Sequence, residues 1–145
     1  MTDENDNNRP LGLVLLCGLY LFFFILTVTS YGSPFPFLGR IYIGTVAKII
    51  VFIDSLICLY LFLGIMKRQA LTWYLLIGYN LFEVVNTIVN LNFITPAEIE
   101  RVIGEHVDRE ALMINNIASA LAILLLTQYI YRHRHYFNNR GRYLF

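Results

Sequence analysis

"LTWYLLIGYNLFEVVNTIVNLN", residues 71–92, decides how many times this chain can cross a membrane. Leu, Ile, Val and Phe dominate it, and it has the roughly 20 residues needed to cross about 30 Å of hydrocarbon. Yet Tyr79, Asn80, Glu83, Asn86, Thr87 and Asn90 interrupt the apolar run. At about 100° per residue, these side chains fall within an arc of about 120° on a helix. From Phe82 to Leu91 the other positions are Leu, Ile, Val and Phe. An amide or carboxyl left without a partner in an apolar medium costs roughly 2–7 kcal/mol. The stretch therefore reads as a spanning helix whose polar face turns from lipid towards other helices, a second copy or water.

Composition supports a membrane class. The chain has 145 residues, 57% hydrophobic and 14% charged, with a net charge of +1. Soluble domains are usually about 45–50% apolar and 25% charged. The length allows one domain of a few helices, and the near-neutral charge gives no field for nucleic acid. Four segments satisfy the length criterion: about 11–30, 41–65, 71–92 and 112–131. The first is expected to be retained. Its leader "MTDENDNNR" carries three acids and one arginine, the wrong charge for a signal peptide, and its apolar run is too long for one. The fold class expected is an all-α membrane protein, a four-transmembrane-helix bundle forming a single domain over residues 1–145.

Basic residues orient the bundle. Arg9, Lys67, Arg68, Arg132, Arg134, Arg140 and Arg142 fall on one side; Arg40, Lys48, Arg101 and Arg109 fall on the other. The richer side faces the cytoplasm, so both termini are expected there, in a cell's inner (cytoplasmic) membrane. The turn "MKRQA" is short enough to make spans two and three antiparallel neighbours. Trp73, Tyr129 and Tyr131 are expected near the membrane interfaces.

Of the outer segments, "YGSPFPFLG" (31–39) reads as an irregular loop, because Pro34 and Pro36 remove donors. The second, 96–109, reads as a short amphipathic helix lying on the outer surface or over the bundle. Thr95 is its N-cap, Pro96 its first residue and Glu98 the partner of a capping box, with Ile94 and Ile99 as a hydrophobic staple.

The second span brings Lys48, Asp54, Ser55 and Cys58 into a similar arc. Counting from the outer ends of the two spans, Asp54 and Glu83 lie at nearly the same depth, near the bilayer centre. A charged side chain there costs at least about 2.5–3.5 kcal/mol, which makes it a functional-site hypothesis by default. Asp54, Glu83, Asn80, Asn86, Asn90 and Lys48 therefore form the candidate intramembrane polar site. Ser55 or Asn80 is placed to hydrogen-bond the carboxyls, and Lys48 can reach inward to Glu83 or outward to water.

Cys17 and Cys58 are expected at similar depth in the inner leaflet, as small packing residues. No span contains histidine, and no zinc spacing, phosphate loop or nucleophile–base set occurs, so no cofactor, metal or enzyme activity is expected. Ala111, Asn115, Ala118, Ser119 and Ala122 form a small, partly polar face on span four, suited to close helix approach. The tail 132–145 interleaves Arg with Tyr and Phe. Directly after a cytoplasmic span, Arg132, Arg134, Arg140 and Arg142 are expected to meet anionic lipid headgroups rather than nucleic acid.

"RPLGLVLLCGLYLF" followed by "IMKRQALTWYLLIGYNLF" resembles small, uncharacterised four-span prokaryotic membrane proteins, which have an RPLG-like leader and a basic, Trp-containing turn before span three. The resemblance implies the same four-helix architecture and brings no activity or site residues. Small multidrug exporters carry their carboxylate in the first span, where this chain has none. The leading functional expectation is a non-enzymatic protein that acts by association, as an accessory or assembly subunit of a membrane complex or as a homo-oligomer. Its partners would be lipids, further copies or other membrane subunits. The alternative is a small proton- or cation-coupled transporter or channel using Asp54 and Glu83.

Overall fold

A computed structural model describes residues 10–140. The described chain runs α1 (Leu11–Thr29), β1 (Phe35–Phe37), β2 (Arg40–Tyr42), α2 (Gly44–Met66), α3 (Ala70–Phe93), α4 (Pro96–Ile103) and α5 (Arg109–Arg132), then a single 3-10 turn at Arg134–Tyr136. Four of these helices, α1, α2, α3 and α5, are long and apolar enough to cross a membrane, so the bundle is that of a multi-pass membrane protein. Their surface is inverted relative to a soluble protein: Leu15, Phe52 and Leu125 are each more than half exposed. Apolar side chains can face outward where the surroundings are hydrocarbon.

Helix boundaries follow local chemistry. Thr95 Oγ1 accepts from the Glu98 N–H at 3.2 Å, and Pro96 follows where a missing donor costs nothing. The amphipathic helix is shorter than its sequence pattern: Gly104 turns left-handed (φ +77°) and ends α4 at Ile103. A new start follows at Asp108, whose carboxylate accepts from the Glu110 N–H at 3.1 Å. That N-cap begins α5 at Arg109, three residues ahead of the expected span. The apolar side of α4, Ile99, Val102 and Ile103, lines a cavity of about 260 Å³ against α3, α5 and the hairpin prolines.

The segment expected as an irregular loop forms a β-hairpin instead. Phe35 pairs with Tyr42, Pro36 with Ile41 and Phe37 with Arg40. The two tip residues, Leu38 and Gly39, both have positive φ (47° and 88°), as a two-residue hairpin turn of the primed type requires. Pairs alternate between hydrogen-bonded and non-hydrogen-bonded along such a ladder, beginning hydrogen-bonded beside the tip. Pro36 therefore occupies the non-bonded position, where its missing N–H is not needed. That is why a proline-rich stretch still makes a strand.

At the opposite end, α2 closes with two overlapping bonds, Gln69 N–H to Gly64 O at 3.1 Å and Arg68 N–H to Ile65 O at 3.0 Å, with Arg68 left-handed. This is a Schellman motif carrying arginine where glycine is usual. The tail supports it. Arg68 Nε donates to Tyr136 O at 2.8 Å, and Asn139 N–H donates to Arg68 O at 2.9 Å. Asn139 O accepts from the Ala70 N–H at 2.7 Å. The tail is thus not simply a solvated basic extension: residues 133–139 return across the α2–α3 turn. The cause is twofold, because Tyr136 and Phe137 gain burial and the exposed carbonyls of the turn gain donors.

Packing pairs α1 with α2 and α3 with α5, whereas α2 and α3 touch far less. They come close where Gly64 lies against Thr72. Farther from that turn, the hairpin contacts both helices and cavities occupy the space between them. The core sits at the turn end, where Leu13, Leu16, Leu61, Ile65, Leu76 and Ile130 cluster under Tyr136 and Phe137. Trp73, expected at an interface, is buried there, with Nε1–H donating to Ile130 O at 2.9 Å. Tyr131 is exposed.

Candidate functional site

The polar face of α3 divides by partner. Asn80 is buried, and its Oδ1 accepts from the Tyr20 hydroxyl of α1 at 2.7 Å, while its Nδ2 has no partner among the described residues. Asn86 Oδ1 accepts from the Leu38 N–H at 2.7 Å, and Asn90 Oδ1 accepts from the Gly39 N–H at 2.8 Å. Two amides one helical turn apart thereby hold both tip residues of the hairpin. Thr87 turns back on its own helix and donates to Glu83 O at 2.9 Å. Most of the stripe therefore has partners inside this chain.

The carboxyls are arranged differently. Asp54 and Glu83 both line a cavity of about 240 Å³ between α2, α3 and β1, together with Tyr79, Asn86 and the rings of Phe35, Phe37 and Phe82. The Tyr79 hydroxyl donates to Asp54 Oδ1 at 2.7 Å, a normal length for an O–H···O bond. Cys58 Sγ lies 3.4 Å from the same hydroxyl and 3.9 Å from Thr27 Oγ1, so the network reaches α1. The Glu83 carboxyl makes no hydrogen bond among the described residues, although the side chain is half-buried. Neither Ser55 nor Asn80 serves the carboxyls: Ser55 donates to Val51 O at 2.8 Å, and Asn80 is held by Tyr20.

Lys48 does not reach Glu83. It is exposed, with its ammonium 6.0 Å from the centre of the Tyr31 ring. Among the described residues, no lysine or arginine lines the Asp54–Glu83 cavity. Among the described residues, no three His, Cys, Asp or Glu side chains converge. The cavity therefore presents two carboxyls, an amide and a phenol among several ring faces.

The cysteines are not level. Cys58 meets Thr27, ten residues along α1 from Cys17, which is roughly 15 Å of helix. Both are free. Arg132 and Arg140 are exposed, and Arg142 lies outside the described residues. Arg134 stacks its guanidinium 4.8 Å from the Trp73 ring, and its Nη2 donates to the Tyr74 hydroxyl at 2.7 Å. The small face of α5 points away from the bundle: Ala111, Asn115, Ala118, Ser119 and Ala122 are all exposed.

Sequence reasoning missed Tyr20, Thr27, Phe35 and Phe37 as members of the site. Tyr20 carried a signal, since a hydroxyl in mid-span needs a partner. The hairpin phenylalanines carried none, because their place depends on a strand pairing hidden behind two prolines. Comparison of the chain with family models, curated proteins and solved structures finds no match.

Proposed function

We propose that this chain is a small cation-binding membrane protein that moves its cation through the bilayer, with Asp54 and Glu83 as the exchanging groups. The observation that carries the reading is their shared cavity: two carboxyls, no basic residue in the lining, and a Glu83 carboxyl without a hydrogen-bond partner among the described residues. Helix-to-helix hydrogen bonding accounts for the amides, which close on this chain. It does not account for Glu83. An ionisable side chain in a spanning segment is costly to insert and needs a purpose other than adhesion.

The distribution of Lys and Arg supports an orientation with both termini and the α2–α3 turn in the cytoplasm and the hairpin outside, in an inner (cytoplasmic) membrane. That orientation supports headgroup contact for Arg132, Arg134 and Arg140 where the lipids are anionic.

The test is reconstitution of the full chain into vesicles, followed by proton and monovalent-cation flux. Glu83→Gln preserves shape, so it should elute and melt like the parent while its flux falls to that of protein-free vesicles. Flux equal to the parent in Glu83→Gln, or none in the parent, overturns the reading.

A second reading, association with another copy or another subunit, draws on the α5 face. Asn115 and Ser119 are polar, exposed and flanked by Ala111, Ala118 and Ala122. Small residues allow close helix approach, and interhelical polar contacts add about 0.6 kcal/mol on average. Cross-linking of Ala118→Cys in native membranes would support it; a protein that stays monomeric there would oppose it.

A further inference from the structure

The geometry points to an amphiphilic organic cation, an ammonium headgroup bearing an alkyl tail, as the ligand of the Asp54–Glu83 cavity, reached sideways from the bilayer between α2 and α3. The inference rests on the cation-binding reading above and specifies its ligand.

The head end is defined by the cavity of about 240 Å³. Its two carboxyls supply charge complementarity. Phe35, Phe37, Tyr79 and Phe82 supply ring faces around them, with Phe37 and Phe82 centroids 5.9 Å apart. Aromatic faces attract cations through their quadrupoles and are the usual recognition surface for quaternary ammonium groups. A small inorganic cation asks for something else: several oxygen ligands at fixed distances, or retained water. Of the oxygens here, Asn86 Oδ1 is taken by the Leu38 N–H and the Tyr79 hydroxyl donates to Asp54 Oδ1, and the rest of the wall beside the two carboxyls is isoleucine and phenylalanine.

The tail end is a second cavity of about 540 Å³ along the same helices. It shares Ile53, Ile57, Tyr79 and Phe82 with the first, so the two adjoin. Its own lining adds Leu56, Tyr60, Leu61, Leu75 and Gly78 and, among the described residues, contains no acidic or basic side chain. Leu56 and Leu75 are exposed on the lipid-facing surface, so the groove opens to the bilayer. Its floor is low at Gly78, where an added Cβ would meet no atom within 4 Å. Polarity thus runs from two carboxyls beside the hairpin to an uncharged lining of aliphatic and aromatic side chains along the α2–α3 seam, which matches the polarity of an alkylammonium from head to tail. The weak packing of α2 on α3 leaves the seam open for lateral entry.

The test uses native mass spectrometry of the full chain in neutral detergent, titrated with dodecyltrimethylammonium, tetramethylammonium and dodecanol. One dodecyltrimethylammonium should bind, at least roughly tenfold more tightly than either tetramethylammonium or dodecanol. Glu83→Gln should lower its affinity to that of dodecanol. Gly78→Leu fills the groove without touching the head cavity, and it should lower the affinity to that of tetramethylammonium. Equal binding of dodecyltrimethylammonium and dodecanol overturns the proposal, because the groove is then an ordinary lipid-facing surface. Tight tetramethylammonium binding that ignores Gly78→Leu also overturns it, since the head cavity then acts alone. In that case a Glu83-dependent flux of small cations would leave the broader cation reading standing. Amphiphile binding without any flux would remove the transport reading and keep this ligand.

Discussion

Asn86 and Asn90 should be the clasp that keeps the β-hairpin seated between α2 and α3. Replacing both with alanine removes the acceptors of the Leu38 and Gly39 N–H groups, which sit at 2.7 and 2.8 Å from the two amide oxygens. Side-chain hydrogen bonds within membrane proteins contribute about 0.6 kcal/mol on average and up to about 1.7 kcal/mol. With about 1.4 kcal/mol per tenfold change, each single substitution should speed amide exchange at its own tip residue by roughly 3- to 20-fold. The two bonds hold one two-residue turn, so the double variant should fall short of the product of the singles. Hydrogen exchange read by mass spectrometry on peptides covering 35–42 provides the measurement. Amides within α1 and α5, which do not hold the hairpin, should keep their parental rates. Unchanged exchange across 35–42 in the double variant, with the helices intact, would show that the asparagines do not secure the hairpin.

Two further outcomes follow from the turn end of the bundle. Gly64→Ala places a methyl against the Thr72 side chain, whose Cβ and Cγ2 would lie 2.9 Å away. Overpacking of this kind costs about 1–3 kcal/mol, so the melting point in detergent should fall, and adding Thr72→Ala should recover part of the loss. A double variant no more stable than Gly64→Ala would locate the strain elsewhere. Trp73 is the sole tryptophan, and Arg134 stacks on it at 4.8 Å. Arg134→Ala should change its emission and cost about 0.5–1 kcal/mol; a spectrum identical to the parent's would mean the stack is not populated.

Segment length and apolarity made the four long helices legible. Their number depends on accepting residues 71–92 as a span despite its polar side chains. The misread features were those settled by distant contacts or by competing caps. Asp108 lies inside an acidic stretch that continues the amphipathic pattern of α4, so the left-handed Gly104 and the fresh N-cap merged into one expected helix. The hairpin was illegible because its evidence lies elsewhere: the amides that fix Leu38 and Gly39 are 48 and 51 positions along the chain. The tail "YRHRHYF" has no helical or strand period to announce burial. Tyr136 and Phe137 are placed by the carbonyls and the arginine of the α2–α3 turn. For the site, spacing alone brought Asp54 and Glu83 to attention, whereas the rings around them arrive from the hairpin.

The contrast between amides and carboxyls bears directly on function. At Asn86 and Asn90 the chain needs only an acceptor for a backbone N–H, and it supplies a neutral one. Asn80 does the same for the Tyr20 hydroxyl. A carboxylate could accept each of these bonds but would bring a charge into the bilayer at a cost of at least about 2.5–3.5 kcal/mol. The same economy applied to positions 54 and 83 would place Asn and Gln there, since the one hydrogen bond Asp54 takes, from Tyr79, needs only an acceptor. Carboxyls at these two positions, and amides at the other three, mean that structure alone does not account for the acidity. What a carboxyl offers beyond an amide is a proton it can release and, once released, a negative charge that a cation can meet. Among the described residues no side-chain cation lines the cavity. On the cation-binding reading proposed above, the charge of an ionised Asp54 or Glu83 is met by a cation from outside the cavity's own lining.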